Sequence, residues 1–380
     1  MLASDYSYFR STLGGALHVM AHGHHPWPDV TREAQLLYWD DSNRLRGEKW
    51  EYIFGEIIPQ VQAHIATFLN LPFRWIAFAP NTHELVARLY SCLDWRKPVR
   101  VLTTDSEFYS FDRQTRRLEE TGRLQVVRIP VEPFATFNER FAEAGKDRYD
   151  FVFMSHVFYN SGFAVQGLDD LVAQLHPDSL VCIDGYHAFC AIPVDLAKLS
   201  ERVFYIAGGY KYAQAGEGVC FMCVPPNAEH RPLYTGWFAD PSNDTSWVQY
   251  GERALRFWGS TFDASGLYRF NATMNLFADR QITPVEIHAH ARHLQELFLQ
   301  GLEEIHVPDL PASALVPPAP FARGNFLTFE VQNAEEIEAH LYSHQILIDR
   351  RDNRLRFGFG LYQDENFIEA LVHGVREAML

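Results

Sequence analysis

Short apolar runs alternate along this chain with longer stretches in which apolar residues recur at helical spacing, and the alternation predicts its architecture. In residues 50–71 the positions Ile53, Ile57, Ile58, Val61, Ile65, Phe68 and Leu69 mark one face of an amphipathic helix. An apolar run at 76–79, the cap-forming Asn81 and Thr82, and then Leu85 to Tyr90 read as strand, turn and helix start. Strands follow at 99–103, 124–129, 151–155, 180–183, 203–207 and 218–224, with helices at 110–120 and 168–175 between them. Such alternation predicts an α/β fold whose sheet is mainly parallel, of a seven-stranded type, and covered by helices on both faces.

After a helix at 284–302 the pattern changes. Residues 308–320 hold Pro308, Pro311, Pro317, Pro318 and Pro320, which marks a loop or linker. Beyond it come a strand at 326–331, a helix at 334–344, a strand pair at 346–348 and 355–359, and a helix at 366–379: a small α+β domain. A chain of 380 residues exceeds one ordinary core. The expected division is an N-terminal segment near the active site at 1–49, a large domain at 50–283 and a small C-terminal domain at 284–380.

Composition narrows the partners. Hydrophobic residues make up 47% and charged residues 21%, as in a soluble globular protein, and the formal net charge is −15. That charge, with no basic patch, argues against nucleic acid, whose binding rests on clustered Lys and Arg. No run of 18 apolar residues and no basic-then-apolar leader occurs, so no membrane partner is expected and the cytoplasm is the expected location. Five cysteines do not suggest a disulfide framework. Cys220 and Cys223 are spaced as Cys-x-x-Cys, but they fall in an apolar strand where side chains three apart face opposite ways, so they read as core thiols.

The candidate chemistry centres on Lys211, in Gly208-Gly209-Tyr210-Lys211-Tyr212-Ala213-Gln214-Ala215-Gly216-Glu217-Gly218. Glycines and aromatics around a lysine suit an amine that must reach a carbonyl while partly desolvated. Upstream, Val181-Cys182-Ile183 ends in Asp184, so a buried strand delivers a carboxylate to its carboxyl end, and His187 follows in an Asp-x-x-His spacing. Singly, Lys211 could be a surface lysine and Asp184 a turn residue. Jointly they suggest pyridoxal phosphate, which needs a lysine for its aldehyde and a carboxylate to keep its pyridine nitrogen protonated.

On these motifs the chain resembles the fold-type I pyridoxal-phosphate enzymes of the class V aminotransferase group, with an aspartate aminotransferase-like fold, and its motifs look most like the kynureninase branch. The resemblance spans about residues 50–375. It implies that Lys211 anchors the cofactor, that Asp184 pairs with the pyridine nitrogen, that His187 lies close by, and that Tyr210 contacts the phosphate and takes part in acid/base chemistry. Asn81 and Thr82 would hold the phosphate at a helix start, where a plain N-cap is the other reading. Phe108 would stack on the ring, with core packing as its alternative, and Ser155 would approach the cofactor from the next strand. Tyr234-Thr235-Gly236-Trp237-Phe238 matches a segment whose Trp reaches the neighbouring subunit's phosphate, which implies a homodimer with shared active sites. Farther on, Asn271 or Thr273 would touch phosphate, and the cofactor set includes Thr273. Arg356 would bind the substrate carboxylate through its planar fork, its charged neighbours being surface or structural.

The substrate side departs from the resemblance. Where kynureninases carry an Asn-Ser-Leu-Gly-like turn, this chain has a histidine-rich stretch from His18 to Asp29. Without a Cys or carboxylate to complete a familiar metal site, no metal is expected, and His24 and His25 read as substrate-pocket residues. His288, His290 and His293 on the 284–302 helix are expected to face solvent. The resemblance implies a kynureninase-like hydrolase that cleaves a Cβ–Cγ bond of an α-amino acid, with transamination as the alternative. Desulfuration by an enzyme thiol is less favoured, because residues 307–323 contain no cysteine, and a non-catalytic scaffold less still, because Lys211, Asp184 and His187 are all present.

Overall fold

A computed structural model describes residues 2–240, Ser242 and residues 247–379. The first strand, β1 (Leu17–His18), lies outside the main sheet. β2 (Ile76–Ala79), β3 (Val99–Thr104), β4 (Leu124–Ile129), β5 (Phe151–Ser155), β6 (Leu180–Asp184), β7 (Val203–Gly208) and β8 (Cys220–Cys223) form, among the described residues, a seven-stranded sheet in the order β2-β8-β7-β6-β5-β3-β4. The strands from β3 to β7 pair in parallel, and β8 runs antiparallel to both β7 and β2. These central strands are nearly all buried, which is why they read as continuous apolar runs rather than as alternating ones. The register sets Ser155 beside Asp184. Because β8 is reversed, its first residue, Cys220, sits beside Gly208 and Ala79 at the same edge of the sheet.

Helices cover the sheet, and one core lies between them, where Phe111 of the helix Tyr109–Glu120 stacks on Phe153 at 3.8 Å. The expected helix at 50–71 is broken into Lys49–Tyr52, a π-helical turn at Ile53–Ile57, and Ile58–Phe68. Pro59 lacks the N–H that would continue the ladder back to Gly55, and the turn widens there. Among the helices not expected from the sequence, Val30–Leu45 and Ser265–Asp279 pack together through Tyr38 on Tyr268 and a hydrogen bond from Tyr268 to Asp41. The N-terminal segment therefore lies partly against the large sheet's helices.

A second core joins the helices Pro284–Ile305 and Glu365–Met379 to a small sheet, with Phe298 against Phe357 at its centre. That sheet is β9 (Phe326–Glu330), β11 (Asp349–Arg351) and β12 (Arg354–Gly358), antiparallel in the order β11-β12-β9. The expected strand pair is corrected here: β10 (Ile346–Leu347) does not pair with 355–359 but lies parallel to β1 of the N-terminal segment. Asp349–Arg351 takes its place as the hairpin partner, turning through Asp352 at φ +53°, a left-handed conformation that Asp tolerates. Of the helix 284–305 histidines, His293 is exposed as expected. His288 and His290 are instead half-buried, bonded to Asn325 and to the Gln363 carbonyl. No helix among the described residues is long and apolar enough to cross a membrane.

Candidate active site

A cavity of about 610 Å³ opens at the carboxyl edge of the large sheet. Loops from β2, β5, β6 and β7 form its floor, Met20, Gly23 and His24 one wall, and Asp349, Arg351 and Arg356 the other. Ligand sites in open α/β sheets gather at this edge, because successive strands all deliver their loops there.

Lys211 follows β7 and points its amine into this space. Its Nζ donates to the carbonyl of His22 at 3.0 Å and lies 2.8 Å from His187 Nε2. Burial, then the charge of Arg356, draws the lysine down to about 7, against a smaller opposing pull from Asp184 and Asp349. Such an amine is substantially unprotonated near neutral pH. His187 is driven well below its ordinary value by burial first and by Lys211 second, so it is a neutral ring within hydrogen-bond reach of the amine.

Asp184 ends β6, where its Oδ1 accepts the Tyr186 N–H at 2.8 Å. Burial raises it to about 6, and the Tyr186 N–H and Lys211 hold it back from rising further. The chain turns at once through Gly185, where a Cβ would stand 2.0 Å from the Tyr205 ring; only glycine lets the strand end so close to its neighbour. Phe108 lines the same space, its ring centroid 5.7 Å from the lysine Nζ. At the other end stands the start of the helix Thr82–Tyr90, with Asn81 and Thr82 on the cavity wall. Asn81 Oδ1 accepts the Glu84 N–H at 2.9 Å, so this residue is an N-cap; the remaining first-turn N–H groups and the Thr82 hydroxyl are what the helix offers an anion.

Ser155 sits beside Asp184 and exposes a neighbour that the sequence did not single out. Its Oγ bonds Glu107 Oε2 at 2.6 Å, its N–H reaches Glu107 Oε1 at 3.2 Å, and Thr104 donates to the same oxygen at 2.7 Å. Burial, with the Asp184 charge adding to it, pushes Glu107 up to about 8 despite these bonds. The available signal was a carboxylate adjoining Phe108 at the end of an apolar strand.

Tyr210 lines the cavity, with its hydroxyl 3.1 Å from His24 Nδ1. His25 does not join it. That ring is fully buried against Tyr212 and Tyr362 and bonded to the Pro26 carbonyl, so its role is packing. The four neighbouring histidines diverge: His18 meets the Tyr362 hydroxyl at 2.7 Å, and His22 stacks on Phe326 at 4.6 Å with Nε2 3.4 Å from Asp349.

Thr273 is also corrected. It is wholly buried within the helix Ser265–Asp279 and bonds the Arg269 carbonyl at 3.0 Å, while Asn271 bonds Gln60 at 2.8 Å; neither lines the cavity. Trp237 lies on the outer surface, away from the cavity, and donates to Thr261 Oγ1 at 3.2 Å. Arg356 does line the cavity, but it is already engaged by the Tyr159 carbonyl and by Asp349. Its neighbours Asp349 and Arg351, expected as outer charges, share the wall with it.

The donor set fits the pyridoxal phosphate implied by the sequence: an amine of lowered pKa, a buried carboxylate with an N–H partner on one oxygen, an aromatic face and a helix start. Residues 30–349 match the family model described as aminotransferase class-V. No curated protein matches the sequence. Similar solved structures include an apo cysteine desulfurase from Thermococcus onnurineus NA1, 16% identical, with a TM-score of 0.82 and coverage of 100% of this chain and 97% of that one. The cystine C-S lyase C-DES in complex with its reaction product cysteine persulfide is 19% identical, with a TM-score of 0.83 over 97% and 99% of the two chains. Cysteine desulfurase CsdA from Escherichia coli is 14% identical, with a TM-score of 0.82 over 99% and 97%. At these identities the likeness establishes the fold.

Proposed function

The chain belongs to the aminotransferase class-V family, and from that premise we propose that it is a pyridoxal-phosphate-dependent lyase acting on a cysteine-like α-amino acid. Lys211, Asp184, Phe108 and the Asn81–Thr82 helix start would hold the cofactor. Pyridoxal phosphate supplies an aldehyde that takes up amines and a ring that withdraws electrons from the substrate's Cα. Lys211, with its lowered pKa, would remove the Cα proton, and Asp184 would keep a cationic ring nitrogen charged. As the Cβ–S bond breaks, the departing sulfur takes its proton from the Tyr210–His24 pair at the cavity wall. Addition of water then yields a 2-oxo acid and ammonia.

The observation that favours a lyase over a desulfurase with an enzyme thiol as acceptor is the cavity's own thiol. Cys220 is the one cysteine among the described residues on the lining, and burial pushes it up to about 12. A thiol held protonated is a poor acceptor for substrate sulfur, so the sulfur leaves as a product. The similarity of fold to a protein named as a cystine C-S lyase supports the same choice. The kynureninase-like hydrolase draws no support from the comparisons. Transamination is the second reading, favoured by the family itself and by the same proton-handling groups.

Purified protein given the cofactor should develop a visible absorption band that borohydride fixes on Lys211. Incubation with cysteine should then release sulfide, pyruvate and ammonia. Amino-group transfer to a 2-oxo acid without sulfide would select the aminotransferase, and release of alanine from kynurenine would restore the hydrolase. Trp237 and Thr261, on the outer surface, would serve the site of a second copy in a homodimer.

A further inference from the structure

We infer that Asp349 fixes the charge of the substrate end of the cavity so that it accepts monocarboxylic α-amino acids and rejects dicarboxylic ones. This rests on the proposal that the cavity takes an α-amino acid.

The placement follows from the hairpin. Asp349 and Arg356 are direct cross-strand partners on β11 and β12, so their side chains leave the same face, toward the cavity. Arg351, two residues along β11, shares that face. Asp349 pairs with Arg356 and meets Arg351 Nη1 at 3.0 Å. Burial alone would raise its carboxyl, but His22 and the two guanidinium charges outweigh burial and hold it below the ordinary carboxylate range. It is an anion at every working pH.

The count of charges decides what fits. Arg351 and Arg356 contribute two positive charges and Asp349 removes one. His22, lowered to about 3 by burial and then by Arg356, contributes none. Glu217, at the exposed rim, adds a negative charge farther out. One net positive charge remains beside Lys211, enough for a single substrate carboxylate. Donors remain as well, because the buried Nε atoms of Arg351 and Arg356 have no partner. Among the described residues of this wall a second carboxylate finds no further guanidinium and meets the charge of Asp349 beside the two arginines, which is how like charges reject a partner.

The test uses Asp349→Asn, which removes the charge, keeps one oxygen acceptor for the two arginines in place of two, and leaves the side chain's size unchanged. On the cofactor-loaded protein, exchange of the Cα proton for solvent deuterium would be followed by NMR for the near-isosteric pair L-asparagine and L-aspartate. Wild type should favour asparagine, and D349N should move the ratio toward aspartate roughly ten- to a hundredfold. If Asp349 only pins Arg356, both substrates change together, the ratio holds, and the inference is overturned. Calorimetric titration with propionate and succinate reads the same preference without turnover. A protein that takes up no cofactor yet prefers propionate, with the preference lost in D349N, keeps the inference and removes the cofactor proposal. One that exchanges asparagine and aspartate alike does the reverse. Binding of neither anion, or of both equally, overturns the inference.

Discussion

Glu107 gives the sharpest test of the electrostatics beneath the site, because its protonation is coupled to folding. With its carboxyl raised from 4.5 to about 8, the native protein binds a proton there that the unfolded chain has already released. The stabilising contribution is complete below about pH 4.5 and is lost as the pH rises to about 8. Within that window one extra bound proton is worth about 1.4 kcal/mol per pH unit. Glu107→Gln retains an acceptor for Thr104 and the Ser155 N–H and can donate to the Ser155 hydroxyl, so at pH 5 it should cost less than about 1 kcal/mol. From pH 5 to pH 8 the variant should gain on wild type by about 1.4 kcal/mol per unit, because it has no proton to lose. Glu107→Ala, in contrast, strands those groups at roughly 1–3 kcal/mol each and should be severely destabilised at every pH. Urea denaturation of the cofactor-free protein at half-unit pH steps reads both effects. Parallel wild-type and E107Q curves would refute the reasoning, since they would mean that the buried carboxyl is ionised throughout.

Lys211→Ala should abolish the borohydride-fixed adduct while leaving circular dichroism unchanged, as expected of a side chain that lines a cavity rather than fills a core. Trp237→Ala should lower cofactor retention, and mixing it with Lys211→Ala chains should restore about a quarter of wild-type activity, because half the dimers would be hybrids with one intact site of two; no recovery would mean that Trp237 serves its own chain. Gly216→Ala should be destabilised by roughly 2–4 kcal/mol in thermal unfolding, since Gly216 holds φ +71° and a Cβ there would stand 2.1 Å from the Trp27 ring. A melting temperature equal to wild type would show that Trp27 can move aside.

The location of the chemistry was legible in the sequence because sheet geometry supplies it. Buried parallel strands are written as unbroken apolar runs, so the bounds of β5 at Phe151 and Ser155 could be read to the residue. Polar residues at or just beyond such ends, Asp184 and Lys211, could then be brought into one cavity without knowing any side-chain contact. Thr273 failed for the opposite reason. Its helix buries Leu267, Tyr268, Phe270, Met274 and Phe277, almost its whole circumference, so no one-sided stripe announced a helix and the residue was placed by resemblance alone.

The substrate wall was illegible for a different cause. His24 and His25 are adjacent in sequence, yet one meets Tyr210 in the cavity while the other is enclosed by aromatic rings; the turn between them is aimed by tertiary packing, not by local preference. Asp349 and Arg351 followed the same rule. Their orientation depends on β10 leaving its expected partner to lie beside β1, which leaves β11 free to pair with β12 and face the cavity. A site's reactive centre is thus written in single strand ends, whereas its specificity is written in a register among three segments far apart in sequence. If this division holds, substitutions at Leu17 or Ile346 that loosen β1–β10 pairing should alter the asparagine-to-aspartate ratio more than the rate of adduct formation at Lys211.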